Sequence, residues 1–233
     1  MRVLVTRPAG DAEETAAQLA ALGHQSVIAP LLEIHIHDGP ALSLDGVQAI
    51  VATSSNGVRA MVQRSERRDL AVFAVGSQTA AVARQCGFAN VRSADGDARA
   101  LGQAVLSWAR PQDGALFHPA GSERAGQLAA NLTAGGFEVR SAELYQATPA
   151  EALPPVAIDA LRNGGIDAVL LYSPRTARTF VEHVVGTGLT AALSPIAALC
   201  ISDATAAALK PLQFREVRVA ARPDQASLLA LLR

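Results

Sequence analysis

The stretch Ala74–Phe88, "AVGSQTAAVARQCGF", decides the fold: an apolar run stops at Gly76-Ser77, a hydroxyl follows at Thr79, and helix-forming residues continue to a closing Gly87. It reads as the end of a buried strand, a tight turn and a helix. Near the other end the pattern returns as "ALCISDATAAALKPL", Ala198–Leu212. Two more pairs stand in the same order: "RPAGDAEETAAQLAALGHQSV" from Arg7 with "HPAGSERAGQLAANLTAGGFEV" from His118, and "VATSSNGVRAMV" from Val51 with "LLYSPRTARTFV" from Leu170. The offsets are about 111, 119 and 126 residues, growing as small insertions accumulate. One such match between alanine-rich helices arises by chance; three in order point to an internal duplication.

Working outward, short apolar runs occur at Arg2–Val5, Ser26–Ala29, Ala49–Thr53, Ala71–Val75, Ala115–His118, Glu138–Ser141, Ala168–Tyr172 and Ala197–Ile201. They are apolar throughout instead of alternating, as strands of a parallel sheet covered on both faces are. Helical spacing fills the gaps, for example at Glu13–Leu22 and Ala125–Leu132. The expected class is therefore α/β, with two parallel-sheet α/β domains of similar topology.

Composition narrows the function. A chain of 233 residues with 50% apolar and 18% charged residues is ordered and globular, and 4% aromatics with abundant alanine favours helices packed on sheets. A net charge of −1 argues against nucleic acid as a partner. The longest uncharged run, "VVGTGLTAALSPIAALCIS", is broken by Gly, Ser, Thr and Pro, so no membrane span is expected. "MRVLVTRPAG" reads as a first strand, not a secretory signal, and Cys86 and Cys200 read as buried thiols of a reducing cytoplasm.

Six turns follow the strands: Thr6-Arg7-Pro8, Thr53-Ser54-Ser55-Asn56, Gly76-Ser77-Gln78-Thr79, Pro119-Ala120-Gly121-Ser122, Ser173-Pro174-Arg175-Thr176 and Ser202-Asp203-Ala204-Thr205. Each is rich in residues that cap helices. In a parallel sheet all lie at the carboxyl edge, where helix N-termini attract carboxylates and phosphates, and six on two sheets would line a cleft. No P-loop, G-x-G-x-x-G or G-x-S-x-G motif is present, so neither a nucleotide cofactor nor a serine nucleophile is expected. His35 and His37 of "EIHIHD" share one side of a strand but lack a third ligand, so no metal is expected either. His24, His118 and His183 stand alone in sequence, and Asp11, Glu13 and Glu14 suit a helix's first turn.

The ordered set "VLVTRP", Gly23 and Pro30, "ATS", "AVGxxTA", "LYQATP", "LLYSP" and a late Thr-Ala helix resembles the uroporphyrinogen-III synthase family over essentially the whole chain. Two departures stand out. Ser202 occupies a position where the family usually has glycine, and Lys210-Pro211-Leu212 replaces a glycine beyond that helix.

The resemblance implies a domain of residues 1–34 and 149–233, a second of 39–143, and a two-stranded linker at 35–38 and 144–148. "EIHIHD" and "ELYQATP" alternate as two paired strands would. It implies a cofactor-independent lyase acting on hydroxymethylbilane, a linear tetrapyrrole with eight carboxylates. Ring A loses its hydroxyl, a spiro intermediate forms at ring D, and closure with ring D inverted gives uroporphyrinogen III in tetrapyrrole biosynthesis. Tyr145 matches the family's linker tyrosine, the expected hydrogen-bond donor to the departing hydroxyl. Thr6, Arg7, Ser54, Ser55, Asn56, Gly76, Thr79, Gly121, Ser122, Ser173, Arg175 and Thr205 are the expected substrate contacts, with Arg59 and Arg178 in reserve. A monomer receiving unstable substrate from the preceding enzyme completes the expectation. Ser202 motivates an alternative, a non-catalytic tetrapyrrole-binding or regulatory module.

Overall fold

The computed structural model describes residues 1–122 and 126–232. The chain divides into two compact units: unit 1 is Met1–Glu33 with Thr148–Arg233, and unit 2 is Ile34–Ala147.

In unit 1, β1 (Arg2–Val5), α1 (Ala9–Ala21) and β2 (Gln25–Ile28) open the chain. Unit 2 begins around β3 (Leu32–Ile36). It continues with β4 (Val47–Ala52), α2 (Ser55–Gln63), β5 (Ala71–Ala74), α3 (Ser77–Gln85), β6 (Val91–Ser93) and α4 (Ala98–Trp108), then β7 (Ala115–Gly121), α5 (Gly126–Ala134) and β8 (Val139–Pro149). The chain returns to unit 1 through α6 (Pro155–Arg162), β9 (Ala168–Leu171), α7 (Pro174–Gly186), β10 (Ala197–Cys200), α8 (Asp203–Ala207), β11 (Glu216–Val219) and α9 (Gln225–Leu229).

Unit 1's sheet runs β11-β10-β9-β1-β2 and unit 2's runs β3-β8-β7-β4-β5-β6. Every neighbouring pair from β11 to β2, and from β8 to β6, is parallel. The burial explains why: these strands hide both faces. In unit 1, Leu4, Val169, Leu171, Ala198 and Cys200 pack with Phe180 and Val184 of α7, while Val3, Val5, Leu170 and Leu199 pack with Leu19 of α1 and Leu228 of α9. In unit 2, Ile50, Ala52, Val72 and Phe117 meet Val58 and Met61 of α2. Ala49, Val51, Phe73 and Leu116 meet Leu101 and Val105 of α4 and Leu128 and Leu132 of α5. Burial of this kind contributes about 25 cal/mol per Å² of apolar surface.

The duplication takes a swapped form. Aligned by the sequence offsets, β2-β1-β9-β10-β11 and β8-β7-β4-β5-β6 have the same spatial order. The first half's β1-α1-β2 completes the sheet of the second half's β9-to-α9 segment, and the second half's β7-α5-β8 completes the sheet of β4 to α4. Neither half of the chain can close its own five-stranded sheet.

Eight expected strands are present, with ends displaced by a few residues except for β8, which runs on to Pro149. Two were not expected: β6 and β11 are edge strands of three and four residues carrying Arg92, Glu216 and Arg218, and a charged half-exposed edge lacks the apolar run. "EIHIHD" and "ELYQATP" are neighbours as β3 and β8, and the His37 N–H donates to the Leu144 carbonyl at 2.8 Å. Both lie in the six-stranded sheet of unit 2. The expected helix Ala125–Leu132 corresponds to α5; its first residue lies outside the described residues. α8 spans only five residues where its counterpart α3 spans nine, with Pro211 close behind it unable to extend the amide ladder.

Candidate active site

Three serines of the turns, Ser54, Ser173 and Ser202, cap helices. Ser54 accepts from the Asn56 N–H (3.2 Å) at the start of α2. Ser173 accepts from the Thr176 N–H (3.0 Å) and shares a 2.8 Å hydrogen bond with the Thr176 hydroxyl at the start of α7. Ser202 does the same with Thr205, at 3.4 Å to its N–H and 3.0 Å between hydroxyls. Such caps stabilise a helix by about 1 kcal/mol. Thr205 is fully buried, as is Thr6, whose hydroxyl donates to the Leu170 carbonyl and ties β1 to β9.

α3 differs. Its N-cap is Gly76, no side chain caps it, and a Cβ at Gly76 would meet nothing within 4 Å. Gly76 (φ −158°, ψ 174°) and Ser202 (φ −160°, ψ 162°) share one extended conformation, which any residue adopts. Serine at 202 is thus a helix cap on an unchanged backbone, and the motive for a non-catalytic alternative falls away. At Gly76 no side chain occupies the start of α3, which lies beside a Thr79 that is 5% exposed.

Arg7 is engaged inside unit 1. Its guanidinium donates to Asp11 (3.2 Å) and to the Gln225 side-chain oxygen on α9 (3.1 Å), and it lies 4.5 Å from the centre of the Tyr172 ring. Gln225 in turn donates to the Thr15 hydroxyl at 3.1 Å. The Tyr172 hydroxyl is buried beside Arg7, Thr15 and Gln225, and no hydrogen bond of ordinary geometry reaches it among the described residues. Burial raises its pKa, with the nearby Arg7 charge acting against the rise.

His118, which matches Arg7 in the repeat, is 1% exposed. Its Nε2 lies 3.2 Å from the Thr53 hydroxyl, and its Nδ1 has no partner among the described residues. Burial lowers its pKa, so the ring is neutral near pH 7.

The remaining expected residues sit as follows. Ser55 is buried in α2's first turn; Asn56 is half-buried and accepts from Arg59 at 3.2 Å; Arg175 is half-buried at the start of α7; Arg178 is exposed. Ser122 is exposed, and its N–H donates to the Tyr145 carbonyl at 3.1 Å. Tyr145 is half-buried on β8, its ring against Gly121. His37 stands 3.8 Å from Glu143 at the surface, and among the described residues no group of three or more His, Cys, Asp or Glu could hold a metal ion. His183 donates from Nε2 to the Ala150 carbonyl at 2.9 Å. Sequence reading missed Tyr172 and Gln225; the (i, i+4) spacing of Arg7 and Asp11 is the one signal it held for that cluster.

A family model described as Uroporphyrinogen-III synthase HemD matches residues 13–230. The chain belongs to the uroporphyrinogen-III synthase family. Among curated proteins none matches. The uroporphyrinogen-III synthetase of Helicobacter pylori matches this synthase-family chain with a TM-score of 0.63 at 16% identity, covering 100% of this chain and 98% of that one. A mutant uroporphyrinogen III synthase of Thermus thermophilus gives 0.51 at 19% identity, covering 100% and 97%. At these identities the likeness establishes the fold: two α/β units built on mostly parallel sheets. Among the described residues no helix is long and apolar enough to cross a membrane.

Proposed function

We infer that this member of the uroporphyrinogen-III synthase family, an enzyme of the lyase type in tetrapyrrole biosynthesis, converts hydroxymethylbilane to uroporphyrinogen III through its own side chains and backbone. The family match over residues 13–230 carries this reading. The substrate is polyanionic, flexible and prone to close unaided into the type I isomer, so the protein must hold one folded conformer and keep water from a cationic intermediate.

The residues suit that task by many modest contacts. The uncapped amides of α3 at Gly76, with Thr79, Asn56, Arg59, Ser122 and Arg175, take the substrate's carboxylates, each charge-assisted hydrogen bond contributing about 1.5–3 kcal/mol. Ser54 and Ser173 hold the helix starts in shape for that purpose. Thr6, Arg7 and Thr205 act indirectly, Thr6 by tying β1 to β9, Arg7 by tying α1 to α9 and Thr205 by fixing the turn that starts α8. The Tyr145 phenol donates a hydrogen bond to the ring A hydroxyl as it departs as water, and regains a proton as the closed macrocycle loses one.

The test is product analysis. Incubated with hydroxymethylbilane, the protein should yield predominantly the type III isomer, faster than spontaneous closure. Type I alone, at the uncatalysed rate, would overturn the reading.

A further inference from the structure

We infer that Gly121 is a positioning residue for Tyr145: its missing side chain is the seat on which the tyrosine ring rests. The inference rests on the catalytic reading of Tyr145 given above.

Three observations converge. First, the β7–β8 ladder slips at this point. Ala120 pairs with Glu143, but Gly121 pairs with Tyr145, so Leu144 is an extra residue in β8. Successive strand residues normally face opposite sides, and a bulge re-aims them. Here Leu144 and Tyr145 both pack on the same apolar cluster of unit 2, beside Ala142. Second, the slip is held by the backbone: the Ser122 N–H donates to the Tyr145 carbonyl at 3.1 Å, and the His37 N–H to the Leu144 carbonyl at 2.8 Å.

Third, the ring lies directly on the Gly121 backbone. A Cβ there would stand 2.7 Å from Cζ, 2.9 Å from Cε2 and 3.0 Å from the hydroxyl oxygen of Tyr145. The obstructing atoms are the far end of a rotatable side chain, so a methyl group at 121 displaces the phenol sooner than it disrupts the sheet. Displacement is costly at a reacting centre, where small misplacements already slow chemistry.

Gly121→Ala in the full chain, assayed with hydroxymethylbilane, tests this. kcat for type III formation should fall roughly ten- to a hundredfold, with KM little changed and the thermal midpoint close to the parent's. In the Tyr145→Phe background the same substitution should cost little more, because the phenol's contribution is already gone. Unchanged kcat in Gly121→Ala, or losses that multiply in the double variant, would overturn the inference. Normal turnover by Tyr145→Phe alone would instead remove the catalytic reading of Tyr145, whatever Gly121→Ala does. Should Gly121→Ala fail to fold, Gly121→Ala/Tyr145→Ala decides. Folding as well as Tyr145→Ala alone supports the seat, and an unfolded double variant overturns it.

Discussion

The two units share one strand order but fill their matching strand ends differently. At the end of β1, unit 1 holds a buried ionic cluster in which Arg7 meets Asp11, Gln225 and the face of Tyr172. At the matching place, inside β7, unit 2 holds a neutral pair, His118 with Thr53. At the next turn the contrast continues: α8 is capped by Ser202, while α3 starts at a bare Gly76. Packing follows suit. Gly57 of α2 lies so close to the Pro119 carbonyl that no Cβ fits, whereas the matching position in α7 is a buried Thr176. Unit 1 thus ties α1 to α9 through a charged cluster, whereas the matching positions of unit 2 carry a neutral pair, an uncapped helix start and a glycine against backbone.

The largest expected effect breaks the ionic side of this contrast. Asp11→Ala leaves Arg7 without its carboxylate among groups that are 11% and 7% exposed, and should lower unfolding stability by about 3 kcal/mol. Thr53→Val, the corresponding cut in unit 2, should cost only about 1 kcal/mol. Denaturant titration of both variants measures the gap. Equal losses would mean that the two strand ends are energetically alike.

A smaller effect concerns the helix starts. Gly76→Ser transplants unit 1's cap into unit 2, occupying an amide that in the proposed function takes a carboxylate of the substrate. KM should rise about tenfold, with stability changed by a few tenths of a kcal/mol. The reverse exchange, Ser202→Gly, should leave KM unaltered. A rise in KM for Ser202→Gly with none for Gly76→Ser would invert the assignment.

The smallest effect is a slope. Because burial depresses the His118 pKa below its ordinary 6.5, the unfolded chain binds a proton that the folded ring refuses. His118 therefore contributes its full share of stability above about pH 6.5 and loses it as pH falls from there toward the lowered folded value. His118→Gln should flatten that part of the curve of melting temperature against pH. An unaltered slope would place the titration elsewhere.

Much of the scaffold is legible in the residues because a parallel strand buried on both faces has an unmistakable composition, as "VLLY" before Ser173 does. β6 and β11 escape that rule, since an edge strand such as "EVRV" keeps charged side chains. The site is harder to read. Arg7 presents itself as a ligand group, but one of its partners, Gln225, is 218 residues away and joins it only once α9 has docked. His118 stands alone in sequence and acquires its meaning from Thr53, just past the end of the neighbouring β4 and 65 residues off. The one-residue slip at Leu144, on which the direction of Tyr145 depends, leaves no mark in the local sequence because strand pairing creates it. The Ser-x-x-Thr caps at Ser173 and Ser202, by contrast, are local and readable outright.

Tyr145→Phe gives the most direct check that chemistry resides on unit 2's β8. Single-turnover formation of uroporphyrinogen III should slow by roughly ten- to a hundredfold, with hydroxymethylbilane binding almost intact. A variant that forms the type III isomer at the parent rate would contradict that assignment and leave the tyrosine a packing residue.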